Sequence, residues 1–512
     1  MTARVSGIVI APRRRRQLEG LRLPPLSIVV ALALGAALPS RAAAAAPAPA
    51  PPTAAPAQRW EYRVRVADLA RGELEIELTL HGFSGELQLC ADMPRGGTGV
   101  RGLRAVPGQL LVQDADDGDC WDAEVPARGP LVVRYRYDLA ALARSSGDPD
   151  LACRAGDSYV FNDEAALLRP EPMPGDGAIE ISFELPAGTS VATPWRKLEG
   201  APWRFASTPR QHSAGGYVAL GKLKALEEIA VPGGTFGVTL LDEPRRAPDA
   251  VLHAWVARAA RQVAAFYRGV PEGRVHVVLV PVQGATDPDV FGTTLMRAAP
   301  SVVMFLGAAA DPASFEGDWM ATHELFHVGN PRLAGRVRWV NEGSATYYQD
   351  VLRARAGAAT PEQIWGDLYD GFHRFCAPAH AVSLQVAGQE LRKTHRYMQV
   401  YWGGACLFFR ADVAIREHSG GARSLDDVLR DLRLRSDKTP LTESEVIAAI
   451  DREAGAPIAS GHLGETGPIP LDALFARLGI EPTGKDTVRL HDDAPLASVR
   501  KQILAPEPAA AR

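Results

Sequence analysis

The stretch from Thr322 to Tyr348, THELFHVGNPRLAGRVRWVNEGSATYY, constrains this chain more than any other. It holds a His-Glu-x-x-His and, further on, an Asn-Glu-Gly. On a helix, residues i and i+4 share one face about 5 to 6 Å apart, so His323 and His327 can bind one ion while Glu324, next along the turn, reaches a water beside it. Catalytic zinc takes three protein ligands and leaves a position open, and a His₂Glu set is one known solution. Glu342 is the natural third ligand. It follows the apolar pair Trp339-Val340 and opens a helix-like run, Glu342 to Ala356, able to lie across the first helix. The competing readings are a chance match on a solvent-facing amphipathic helix and a purely structural zinc. Two fixed histidines and a glutamate seldom coincide by accident. Structural sites are usually closed with four ligands and favour cysteine, and no Cys lies between Cys153 and Cys376.

At these residues the chain resembles the gluzincin metallopeptidases, and more narrowly the glycyl aminopeptidase family of bacteria, peptidase family M61. The resemblance runs through HELFHVGNPRL, WVNEGSATYYQDVLRARAG and VYWGGACLFFRADVAIREHSGGARSLDDVLRDL, covering most of residues 230 to 480. It implies a zinc-dependent peptidase acting on the N-termini of peptides. Relatives carry a tyrosine two residues before a Lys-Gly, with its hydroxyl on the oxyanion. Tyr401-Trp402-Gly403-Gly404 matches, with Gly403 in place of Lys. Tyr401 is therefore the expected second catalytic residue, a packed aromatic being the alternative, and Tyr397 and His395 are fallback donors. Tyr347 and Tyr348 are expected in the core.

The family also places a Gly-Gly-x-Glu-His type stretch on the strand lining the cleft. Its counterpart here, Gly292 to Arg297, lacks the glutamate that helps hold the substrate's free ammonium. An endopeptidase or other zinc hydrolase on the same site thus stays open, as does a non-catalytic peptide-binding relative. Asp287 and Asp289 are nearby acids that could substitute, with solvated loop residues as the alternative. Family members often carry a PDZ domain near the C-terminus, and with 33 residues after Gly479 none is expected here.

The rest of the chain predicts an α+β protein: an N-terminal antiparallel β-sandwich domain, a thermolysin-like zinc peptidase domain and a helical C-terminal domain. Arg13 to Arg16 and Arg22 precede the apolar run Leu26 to Leu38 and small residues at Ala42 to Ala46, the layout of a signal peptide over 1–45. Export to the periplasm or beyond follows; a retained anchor is the alternative, although the run falls short of the ~20 residues that span a bilayer. Residues 46–58 form a Pro/Ala spacer. Removing 1–45 takes seven arginines and one acid, leaving 49 basic against 59 acidic side chains, a net of −10 in place of −4. That balance disfavours nucleic acid and anionic membranes as partners and leaves a peptide substrate.

Runs of period two, such as EYRVRV, GELEIELTL, PLVVRYRY and AIEISFELP, place the β-domain at 59–230, with a Cys90–Cys120 bridge, and Cys153 spare, as one arrangement and buried free thiols as the other. YVFNDEAALLRP, Tyr159 to Pro170, is either a loop near the cleft or an ordinary interstrand loop. The catalytic domain is expected at 231–357, with a helix from Asp249 to Arg268 and strands at Val275 to Val280 and Ser301 to Leu306. Helices follow over 358–485, including Glu443 to Glu453 with Thr442 and Glu445 at capping-box spacing, and then a tail, 486–512. Cys376 and Cys406 are expected to be dispensable for chemistry.

Overall fold

The computed structural model describes residues 58–506, except 67, 107–110, 114–117, 146–147, 271–272 and 297. The signal peptide, nearly all of the spacer and the last six residues lie outside the described residues. Among the described residues no helix is long and apolar enough to cross a membrane.

The β-domain follows from strict alternation. In Glu73–His81, Leu74, Ile76, Leu78 and Leu80 turn inward while Glu75, Glu77 and Thr79 face outward, and the partners Arg59–Val66 and Leu131–Asp138 repeat the pattern. These strands lie within a seven-stranded sheet, antiparallel except that Arg59–Val66 runs parallel to Ala178–Glu184. Two four-stranded sheets complete the layer. Cys90 and Cys120 lie opposite one another on paired strands and form a disulfide; Cys153 is a half-buried free thiol. YVFNDEAALLRP forms a buried strand, a single helical turn and a short strand, with Arg169 (1% exposed) bonded to Asp92 and Asp163. A charge this deep is held because its partners are equally fixed.

From residue 223 a six-stranded sheet begins. Gly234–Leu241, Arg274–Val282 and Ser301–Gly307 run parallel, and Phe291–Leu295 closes one edge antiparallel to the last of them. The central strands are buried on both faces, which their unbroken Val/Leu runs require. One face takes the helix Asp249–Tyr267; the other takes Tyr217 and Val160 of the β-domain. The helix Met320–His327 is short and buried along its whole length. It packs between Asp249–Tyr267 and a second long helix, Arg338–Arg355, that begins four residues earlier than the Asn-Glu-Gly spacing suggests.

A helical layer follows: Pro361–Phe375, Tyr397–His418, Leu425–Ser436, Glu443–Ala454 and Asp472–Leu478. Thr442 and Glu445 form the expected capping box, as do Ser424 and Asp427. A second disulfide, Cys376–Cys406, ties the end of Pro361–Phe375 to the middle of Tyr397–His418. The last segment differs from the tail read in the sequence. Strands Ile480–Pro482 and Val488–Leu490 pair, the helix Ala497–Leu504 buries Ile503 and Leu504 in the main core, and Arg355 Nε donates to Ile503 O. Short elements of mixed composition carry too little period to be seen in sequence; here docking supplies the stability.

Candidate active site

Two helices cross at the site. His323 and His327, one turn apart on Met320–His327, aim Nε2 at the carboxylate of Glu342 on Arg338–Arg355, with Oε2 3.7 and 3.6 Å away. Donor atoms of all three lie within 4.8 Å of one another. A tetrahedral ion with arms of about 2.0–2.1 Å separates its ligands by about 3.3 Å, so these residues fit a zinc site after small adjustment. The remaining ring nitrogens are held too. His323 Nδ1 meets Gln349 Oε1 at 2.8 Å, and His327 Nδ1 lies 3.2 Å from the Asn330 carboxamide. The Gln349 oxygen accepts from His323 Nδ1–H and so selects the tautomer whose Nε2 is free to ligate, while the Asn330 contact fixes the orientation of the His327 ring.

The charges favour a cation. Burial pushes the Glu342 carboxyl up, but the facing imidazoles of His323 and His327 outweigh it and hold it down at about 2. Burial lowers His327 to about 4, so that ring is neutral at pH 7. Two carboxylates, Glu324 and Glu342, therefore converge on one small volume, and the His323 ring stands raised in response despite its burial.

Glu324 is 7% exposed and lies alongside, its carboxyl raised to about 7 by burial. Thr294 Oγ1, on the edge strand Phe291–Leu295, donates to Glu324 Oε2 at 2.7 Å. Two positions earlier, on the same face, a Cβ at Gly292 would come within 2.5 Å of Glu324 Cγ. Only glycine leaves that carboxylate its place.

Tyr401 approaches from the helix Tyr397–His418. Its ring lies parallel to that of His323, centroids 5.8 Å apart at 3°, and its hydroxyl is close enough to the Glu342 carboxylate to feel its charge. Burial, with the charges of Glu342 and Glu324, lifts its pKa well above 10 and keeps the proton on. Close packing of two helices makes this reach possible: the Cα atoms of Gly343 and Gly404 leave no room between them, a Cβ on Gly404 falling 2.8 Å from Gly343 Cα and from Trp339 O. Tyr397 is half-buried beside Val400 and Leu391, His395 is exposed, and neither makes a contact with Glu324 or Glu342. Tyr347 and Tyr348 are fully buried, bonded to Asp412 and Asp426 and away from the site.

Helical spacing could have found two of the supporting residues. Gln349 stands two turns after Glu342, and Asn330 one turn after His327. Thr294 and the Gly343–Gly404 crossing carried no such signal, being contacts between distant segments.

No model of a known protein family and no curated protein sequence matches the chain. Among solved structures it is similar to an aminopeptidase N family protein of Idiomarina loihiensis, at 18% identity over 82% of this chain and 78% of that one, with a TM-score of 0.67. It is similar to an M1 zinc metallopeptidase variant of Deinococcus radiodurans bound to a Tyr-Ser-Ala substrate, at 15% identity over 81% and 95% of the two chains and a TM-score of 0.52. A yeast LTA4 hydrolase in complex with bestatin aligns at 16% identity over 81% of this chain and 68% of that one, with a TM-score of 0.50. At these identities the likeness is one of fold. The chain has the α+β fold of the M1-type zinc metallopeptidases, with N-terminal sheets and a helical C-terminal region.

Proposed function

We propose that the chain is a zinc-dependent metallopeptidase hydrolysing peptide bonds, and that it acts as an aminopeptidase. The observation that carries this is the convergence of His323, His327 and Glu342 on one point, with Glu324 and Tyr401 beside it. His323, His327 and Glu342 would hold one zinc ion, which when bound supplies a Lewis acid and acidifies water towards a pKa of ~7. Glu324, held by Thr294, takes a proton from the attacking water and passes it to the leaving amine; its raised pKa suits both halves of that task. Tyr401 donates its proton in a hydrogen bond to the oxygen that gains charge at the scissile carbonyl, a contribution of roughly 2.7–4 kcal/mol for one such donor.

The narrower reading, peptidase family M61, rests on the three quoted sequence segments. Export rests on residues 1–45 and is supported by two disulfides, which persist in oxidising compartments. The division near residues 230 and 357 is part of the same reading. Elemental analysis of the purified protein is expected to give about one zinc per chain, and chelation to abolish hydrolysis of a peptide panel. Active protein without stoichiometric metal overturns the reading.

A further inference from the structure

The outward face of the seven-stranded sheet carries its charge in rows. Register sets Arg63, Glu77, Arg134 and Arg104 side by side across four strands, and Arg65, Glu75, Arg136 and Arg101 side by side in the next row. The first three members of each row alternate in sign, as a stable sheet surface should. Glu77 pairs with Arg63 at 3.2 Å and with Arg134 at 2.6 Å, and Glu75 pairs with Arg65 at 2.6 Å. The last step in each row breaks the alternation. Arg104 stands opposite Arg134 and Arg101 opposite Arg136, and like charges directly opposite one another destabilise a sheet. Arg101 donates to the carbonyl oxygens of Thr98 and Val100, and neither Arg101 nor Arg104 has a carboxylate partner among the described residues.

A bulge creates this arrangement. Arg101 and Arg104 are three residues apart, a spacing that sends side chains to opposite faces of a regular strand. The register shifts between them, where Gly102 takes φ +61°, so that Leu103 turns into the core at 3% exposed while both arginines face outward. The rows line an open concavity of about 590 Å³, in which six arginines meet three glutamates, Glu75, Glu77 and Glu184. That is a local excess of three positive charges on a chain whose formal net charge is −4. The one aromatic among the lining residues, Tyr135, is 3% exposed, so no ring is offered to a stacked base.

We propose that the Val100–Ala105 end of this face is a binding site for a phosphate-type dianion, held among Arg101, Arg104, Arg134 and Arg136. The site is separate from the zinc ligands and does not depend on the peptidase reading. A guanidinium fork matches two oxygens of a tetrahedral anion, and an anion placed between opposed arginines replaces one repulsion by two attractions. The dianion is either free or one unit of a phosphate chain.

Calorimetric titration of the full chain with inorganic phosphate, pyrophosphate and long-chain polyphosphate tests this, under mildly alkaline conditions and at an ionic strength held constant with sodium chloride. Saturable binding is expected. Arg101→Gln and Arg104→Gln should each weaken it by roughly 10-fold, and Arg104→Lys, which keeps the charge without the fork, by less. Arg204→Gln, near the other edge of the sheet and paired with Glu180, should leave the affinity unchanged. Binding of inorganic phosphate or pyrophosphate identifies a free anion; binding confined to polyphosphate identifies a chain. Without ligand, at low salt, Arg104→Gln should lower the unfolding equilibrium constant by roughly 1.5- to 5-fold, because one opposed like-charge pair is gone, whereas loss of a structural arginine would raise it. Failure of all three anions to bind saturably, wild-type affinity in both Arg101→Gln and Arg104→Gln, or a ligand-free Arg104→Gln protein less stable than wild type overturns the site.

Discussion

Replacing Gly404 by alanine should damage catalysis from outside the reacting groups. The added Cβ would lie 2.8 Å from both Gly343 Cα and Trp339 O, where ordinary carbon contacts need about 3.5–4.0 Å. Both obstacles are backbone, so relief requires the helices Tyr397–His418 and Arg338–Arg355 to part by about 1 Å. Overpacking of this kind costs about 1–3 kcal/mol, and the better helix propensity of alanine returns about 1 kcal/mol, leaving a net loss of up to about 2 kcal/mol. The functional cost is larger. Tyr401 lies less than one turn before Gly404 and Glu342 adjoins Gly343, so separation pulls the hydroxyl off its partner; a misplacement of about 1 Å is worth about 10²-fold in rate. Gly403→Ala is the control, because its Cβ meets the flexible end of Leu384 at 3.3 Å, and it should leave kcat near wild type. Steady-state kinetics, zinc content and thermal melting on both variants measure the effect. A Gly404→Ala protein with wild-type kcat and melting temperature would refute the claim that this crossing positions Tyr401.

Glu324→Gln should retain zinc and abolish turnover, since the ligands remain and the base is gone; loss of metal from that variant, with full affinity in Glu342→Gln, would reverse the two roles. Tyr401→Phe should lower kcat and kcat/KM together by roughly 10² to 10³, with KM little changed, because the hydroxyl serves charge that exists only in the transition state. Unaltered kcat in that variant removes Tyr401 from the mechanism. Asp318, 8% exposed, has its carboxyl raised by burial to about 7, whereas an unfolded Asp titrates near ~3.9. The folded state therefore holds the extra proton between about pH 4 and 7, stability contributed by this group falls as pH rises through that window, and Asp318→Asn should flatten that part of a stability-versus-pH curve measured by denaturant unfolding.

Where residues act together within one turn, the sequence was enough. His323 and His327 share a face because a helix repeats every 3.6 residues, Leu74 to Leu80 alternate because a strand repeats every two, and Thr442 caps its helix through hydrogen bonds three residues long. These are local couplings, and the chain itself carries their distances. The ends of elements were less legible: Arg338–Arg355 starts ahead of its motif, and residues 488–504 gain their order from docking rather than from propensity.

Everything that turns a motif into a site needed contacts between distant segments. Glu342 meets the histidines only because two helices cross, and that crossing depends on paired glycines, Gly343 and Gly404, sixty-one positions apart. Thr294 holds Glu324 across a strand–helix contact, and Gly292 matters there for the side chain it lacks. The Cys376–Cys406 pairing and the approach of Asp150 to Thr293 are of the same kind. Such pairs have no period or spacing to mark them. Tertiary packing selects them by shape and by the need of buried polar groups for partners, and both are properties of the assembled fold.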